Sequence, residues 1–279
     1  MVDQGLKNAI KNTLTYSQYF HYPLTLPELH NRLINYQVSK SSLTRTVNTL
    51  LKSKFISRHA DYYFLPQKSS LVRRRKLYSH LSKPLFDYTE SLIPILTRIS
   101  SIRAIYLTGS LAMQNTDGHD DIDLMIIAES KKLWTTRFLL TIYTTLLGLR
   151  RTRNTKNIMG KLCLNLYLTP DSYAVPPHLR SLYTAYELIQ AVPIFDPKHT
   201  HALLLSSNSW LKSYLPNYPL PKPKNNQATT VKRALAENIC YWAQLLYMKG
   251  RITREYITKD SAFFHPNNPG RRVLSKIKI

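Results

Sequence analysis

The sequence predicts an α+β fold, and three observations carry that expectation. Two apolar runs, 102–107 and 124–128, flank a short glycine turn; a third, 161–169, alternates with period two; amphipathic stretches of helical spacing precede and follow them. At 279 residues, 43% of them hydrophobic, the chain can hold two or three small domains with ordinary cores. Lys and Arg number 39 against 16 Asp and Glu, a formal net charge of +23, so its field attracts polyanions: nucleic acid, nucleoside triphosphate or an acidic surface.

Taken in order, residues 1–66 are expected to form a small separate helical unit. Residues 6–19 have helical spacing and Pro23 breaks them, while Thr25 caps a second helix with Pro27 in its first turn. Residues 39–54 give a third helix, with Leu43, Val47, Leu50, Leu51 and Phe55 on one face. A hairpin over 56–65, turning near 59–61, closes the unit. Three helices and a hairpin in that order resemble a winged helix-turn-helix. On its third helix Lys40, Thr44, Arg45, Asn48 and Lys52 point outward, residue types that contact phosphates and base edges, so the face is read as a contact for DNA or RNA, with a solvated basic helix or a protein-facing surface as the alternatives.

Residues 67–83 are expected to be a linking helix, with Arg73, Arg74, Arg75 and Lys76 as a solvated basic face. Pro84 and Pro94 punctuate the helical segment that leads to the strand at Ile102, and a core is placed at 84–176. Within it, Gly109 lets the backbone approach a ligand, and Ser110 offers a hydroxyl and a helix N-terminus to an anion. Asp121 and Asp123 alternate along the next strand, so their carboxylates point to one face roughly 6 to 7 Å apart. Two carboxylates so placed call for a cation, and oxygen ligands select Mg²⁺ or Mn²⁺.

Residues 131–149 read as a long apolar helix. Arg137 and five threonines interrupt it, and a run of about 17 residues falls short of the roughly 20 a membrane span needs, so a core helix is expected and no membrane partner. A basic loop, Arg150 to Lys156, follows and is expected beside the Gly109–Asp123 corner. On the strand at 161–169, Leu162, Leu164, Leu166 and Leu168 are expected on one face and Lys161, Cys163, Asn165 and Tyr167 on the other. A helical region is expected over 177–279, with helices at 179–190, 199–215, 231–250 and 255–264 and a proline-rich loop at 216–227. Cys163 and Cys240 lie in apolar segments and read as inert buried thiols, and residues 1–14 lack the apolar stretch of a signal peptide, so a reducing cytoplasm is expected. No zinc-type His or Cys spacing and no G-x-x-x-x-G-K-[ST] loop occurs.

The pattern of hydrophobic strand, Gly109-Ser110, about ten residues, then Asp121-Ile122-Asp123 resembles the signature of the DNA polymerase β-like nucleotidyltransferases. Most of the chain is similar in pattern to bacterial nucleotidyltransferase-domain proteins with an N-terminal winged helix. The resemblance implies that Gly109 and Ser110 hold a nucleoside triphosphate and that Asp121 and Asp123 hold the metals, with Lys161 as a further nucleotide contact. It also implies a third carboxylate on the following strand, where this chain has Asn165; an amide can ligate a metal but cannot take the attacking hydroxyl's proton. Transfer of a nucleoside monophosphate to an acceptor hydroxyl is the implied reaction, with Glu187, Glu237, Glu255 and His265 as candidate acceptor contacts. The alternative is a non-catalytic DNA-binding regulator that uses a degenerate fold of this kind as a nucleotide sensor.

Overall fold

A computed structural model describes residues 3–66, 70–152, 154–222, 232–250, 255–264 and 269–277. The architecture is mixed α and β, with one six-stranded and one three-stranded sheet among the described residues.

At the N-terminus, Asp3 caps α1 (Gln4–Tyr19) by accepting from the Gly5 and Leu6 N–H groups. Thr25 and Glu28 form a reciprocal capping box on α2 (Leu26–Asn31), and Ser39 caps α3 (Lys40–Lys52). Leu43, Val47 and Leu50 of α3 are buried with Leu6, Ile10 and Leu14 of α1. The hairpin of β2 (Ser57–His59) and β3 (Tyr62–Phe64) gains β1 (Leu24–Thr25) on its other edge, giving the order β1-β3-β2.

α4 (Ser70–Leu96) runs unbroken through Pro84 and Pro94. Each proline removes one helical hydrogen bond, and burial of Leu85, Leu92 and Leu96 against the central sheet keeps the helix intact. Of the basic run on α4, Arg73 and Lys76 are exposed as expected, while Arg74 and Arg75 depart from the solvated face. Arg75 makes a two-pronged pair with Glu28 at 2.8 and 2.9 Å and stacks on Tyr22, while Arg74 reaches the Phe20 carbonyl. These contacts tie α4 to the N-terminal unit. Burial alone would raise the Glu28 carboxyl; the Arg75 guanidinium holds it at about 2 instead.

The six-stranded sheet has the order β7-β4-β5-β6-β9-β8, built from β4 (Ile102–Leu107), β5 (Ile122–Ala128), β6 (Leu162–Leu168), β7 (Val192–Phe195), β8 (Tyr256–Ile257) and β9 (Ser261–Phe263). β5 and β6 are parallel, joined by α6 (Leu133–Leu146); the other neighbours are antiparallel. Leu133, Trp134 and Leu140 turn α6 inward, while Phe138, Leu139, Ile142 and Leu146 stay exposed. No helix among the described residues is long and apolar enough to cross a membrane.

Three sequence expectations change here. The segment expected as a helix at 255–264 instead forms β8 and β9: β9 pairs onto the free edge of β6 through Leu166–Phe263 and Leu168–Ser261, and β8 pairs onto β9. The region after 177 therefore supplies three strands beside its helices α7 (Leu182–Gln190), α8 (Thr200–Ser206), α9 (Leu211–Tyr214), α10 (Leu235–Met248) and α11 (Pro269–Ile277). The single helix expected over 199–215 divides into α8 and α9 at Asn208, whose fully buried amide donates to the Tyr173 and Leu204 carbonyls and accepts from Val175 N–H.

The expected single face of leucines on β6 also fails. The β5–β6 register shifts between Leu124 and Met125, which face Leu164 and Leu166, so Asn165 is the extra residue of a bulge. Leu162 and Leu164 consequently pack on one side with Leu124 and Ile126, and Leu166 and Leu168 on the other with Met125 and Ile127. That second side is covered by α7, α8 and α9 together with Tyr16 and Ile34 of the N-terminal unit, and Tyr16 stacks on Tyr186 at 4.0 Å. The N-terminal unit thus shares its apolar packing with the sheet, where the sequence reading held it separate.

Candidate functional site

The short element α5 (Gly109–Ala112) leaves β4 at the corner where β5 begins. Thr108 N–H donates to the Asp123 carbonyl at 2.9 Å, which clamps the turn to β5. Gly109 sits at φ +67°, and a Cβ there would lie 2.6 Å from Asp123 Oδ2. Both the left-handed backbone and the carboxylate therefore require glycine. The Ser110 hydroxyl donates to Asp120 Oδ2 at 2.8 Å.

Asp121 is buried and accepts from Arg151 Nη1 at 2.5 Å. Arg151 belongs to the basic loop that the sequence placed beside the site, a placement this ion pair realises. Asp123 accepts from Asn165 Nδ2 at 2.8 Å. Burial, and then the charge of Asp121, push the Asp123 carboxyl up to about 6. Asn165 is itself buried, and its Oδ1 has no hydrogen-bond partner.

Cys163 is the residue that sequence reasoning missed. The parallel register sets it opposite Asp123, and ligand atoms of Asp121, Asp123 and Cys163 all lie within 4.8 Å of one another. This corrects the expected surroundings of the thiol: it is half-buried beside two aspartates, where the sequence placed it in an apolar segment. Its position two residues before Asn165 on a strand was the available signal. Burial and the two aspartates push the thiol up strongly, so it is protonated and neutral at physiological pH.

Lys161 departs from the expected nucleotide contact: its ammonium donates to the Gly148 carbonyl, at 2.7 Å, past the end of α6. Glu237 departs from the expected acceptor contact. From α10 it accepts from the Trp134 and Thr135 N–H groups and so caps α6 from outside. His265 lies outside the described residues. On α3, Lys40, Arg45, Asn48 and Lys52 are exposed, Thr44 is half-buried with its hydroxyl on the Lys40 carbonyl, and Arg45 reaches the Ser42 hydroxyl. The structure does not bring this group to the acidic corner; α3 packs against α1 and α2.

Glu187 does line the site. Two cavities meet at its side chain and that of Tyr183: one of about 250 Å³ that includes Gly109 and Ser110 together with Phe20, Tyr22 and Arg32, and one of about 510 Å³ with largely apolar walls. Burial, followed by the charge of Asp123, pushes the Glu187 carboxyl up to about 7, and the Tyr183 hydroxyl acts against that rise.

No family model, curated protein or solved structure matches the chain.

Proposed function

We propose that the chain is a nucleotidyltransferase of the polymerase β-like kind, moving a nucleoside monophosphate from a nucleoside triphosphate to an acceptor hydroxyl with Mg²⁺ or Mn²⁺. One observation carries the reading: the Gly109 backbone, the carboxylates of Asp121 and Asp123, and Asn165 with its partnerless oxygen meet at one corner where β4, β5 and β6 lie side by side. The succession of strand, Gly-Ser turn, Asp-x-Asp strand, crossover helix and third strand supports the superfamily assignment. The three helices and hairpin ahead of it support a winged helix-turn-helix.

These residues fit a hard divalent cation. Burial, and then the charge of Asp121, raise Asp123, and a buried amide oxygen lacks a donor. Asp121, Asp123 and Asn165 would hold the ion, and the protonated Cys163 thiol is a neutral neighbour. When bound, the ion supplies charge neutralisation and polarisation at the phosphates. Gly109 keeps the wall beside Asp123 free of a side chain, and Ser110 can exchange Asp120 for a phosphate oxygen. Arg151, once it leaves Asp121, is placed to pair with the triphosphate.

Incubation with α-³²P-labelled ATP, CTP, GTP and UTP, Mg²⁺ and cell extract tests the proposal. We expect one labelled product with wild-type protein and its loss with Asp121→Asn/Asp123→Asn. Label that stays on nucleotide throughout would contradict transfer. A second reading, a DNA-binding regulator that senses nucleotide, is favoured by one observation: Asn165 stands where the superfamily has its proton-accepting carboxylate, while α3 presents exposed cations. In that case nucleotide and DNA bind and no label moves.

A further inference from the structure

The 510 Å³ cavity beside the acidic corner has no role in the nucleotide site described above, and its size lies in the range of small-molecule pockets. Met125, Leu166, Leu168, Leu188 and Leu274 contribute to its largely apolar wall, and its polar lining includes Thr108, Tyr183 and Glu187 beside His178, Arg180 and Arg271. Thr108 adjoins the Gly109 turn, and Tyr183 and Glu187 are shared with the smaller cavity that contains Gly109 and Ser110. These three residues therefore link the cavity to the corner where a nucleotide's phosphates would sit.

We propose that this cavity seats the acceptor, and that the acceptor is a small alcohol or phenol with an apolar skeleton whose hydroxyl lies at Glu187. The inference rests on the transferase reading and names its second substrate. A nucleobase is a poorer occupant, because a largely apolar wall leaves much of the hydrogen-bonding edge of a base unpaired. The smaller cavity suits the base better: Phe20 and Tyr22 offer rings and Arg32 a guanidinium. Nucleic acid and protein acceptors are too large for a pocket of this volume.

In the transfer the acceptor oxygen bonds to the α-phosphorus while the bond from that phosphorus to the bridging oxygen breaks. Pyrophosphate leaves with the bond's electron pair. The hydroxyl proton passes to the Glu187 carboxylate and from there to water. Asn165, an amide, cannot accept it, and Glu187 is the carboxylate at the junction of the two cavities.

Two methionines report the two cavities separately, since Met125 lines the apolar one and Met113 the one at Gly109. Full-length protein with ¹³C-methyl methionine is titrated with 1-naphthol, with 1-octanol and with ATP plus Mg²⁺, the signals being assigned by Met125→Leu and Met113→Leu. We expect the alcohols to shift Met125 saturably and ATP with Mg²⁺ to shift Met113, without mutual competition. Leu274→Trp, which fills the cavity, is expected to weaken the alcohols at least tenfold and leave the ATP response unchanged. Ser275→Phe, at an exposed position on the cavity's rim, repeats the test should Leu274→Trp misfold. If neither alcohol moves Met125, or if ATP displaces both, the acceptor assignment is overturned while the transferase reading stands. A Met113 signal indifferent to ATP with Mg²⁺ overturns the transferase reading itself, whatever Met125 does.

Discussion

At the acidic corner, Asp120, Asp121 and Asp123 each accept a hydrogen bond from a neighbouring side chain, those of Ser110, Arg151 and Asn165. On the outer face of α3, Lys40, Asn48 and Lys52 are exposed and Arg45 reaches a serine one turn back on its own helix. Both regions are charged and both were singled out from sequence, yet they are built differently. The corner holds its groups in fixed positions, as chemistry on a phosphate requires. The α3 face offers long, solvated cations, which attract a polyanion through the field and give it little geometric constraint.

If the corner is the preorganised region, its backbone is the place to break it. Gly109→Ala adds about 1–3 kcal/mol of strain from the left-handed conformation, and its Cβ would lie 2.6 Å from Asp123 Oδ2, so the carboxylate must move. We expect at least a tenfold loss of Mg²⁺-dependent ATP affinity by calorimetry, with the fold intact by circular dichroism. Undiminished affinity would show that the turn is structural only.

The α3 face is tested by salt. Full-length protein with Lys40, Arg45 and Lys52 changed to Ala should bind duplex DNA with a flatter dependence of log affinity on log salt, by about 0.9 for each phosphate that the variant no longer neutralises. An unchanged slope places DNA elsewhere or nowhere. ATP affinity should not respond, because this group lies apart from the corner.

The smallest effect concerns how the N-terminal unit is held. Glu28 is depressed from 4.5 to about 2 by Arg75, so the folded state binds its proton less readily than the unfolded chain does. The resulting stability is complete above pH 4.5 and declines as pH falls towards 2. Glu28→Gln should remove that part of the acid sensitivity while lowering stability at neutral pH, as read by thermal unfolding between pH 2 and 7.

What was legible follows from sequence distance. Gly109, Ser110, Asp121 and Asp123 lie within one turn and two adjoining strands, so local pattern sufficed to bring them together. Cys163 joins them through the parallel register of β5 and β6, which its spacing from Asn165 only hints at, and the bulge at Asn165 arises from that same pairing without a local trace. β8 and β9 are short, and edge pairing onto β6 sets their conformation against the helical pattern of 255–264. Glu237 looked like a surface acid because the helix end that it caps lies about a hundred residues earlier in the chain. Arg75 looked solvated for a similar reason: its partner Glu28 sits in the other unit.

The central claim is that Asp121 and Asp123 hold a divalent cation together with a nucleotide's phosphates. Calorimetric titration of ATP into wild-type protein and into Asp121→Asn/Asp123→Asn, each with and without Mg²⁺, addresses it most directly. The account predicts tight binding in one of the four cases, wild type with Mg²⁺, and at least tenfold weaker binding in the other three. Equal affinity in all four would contradict it.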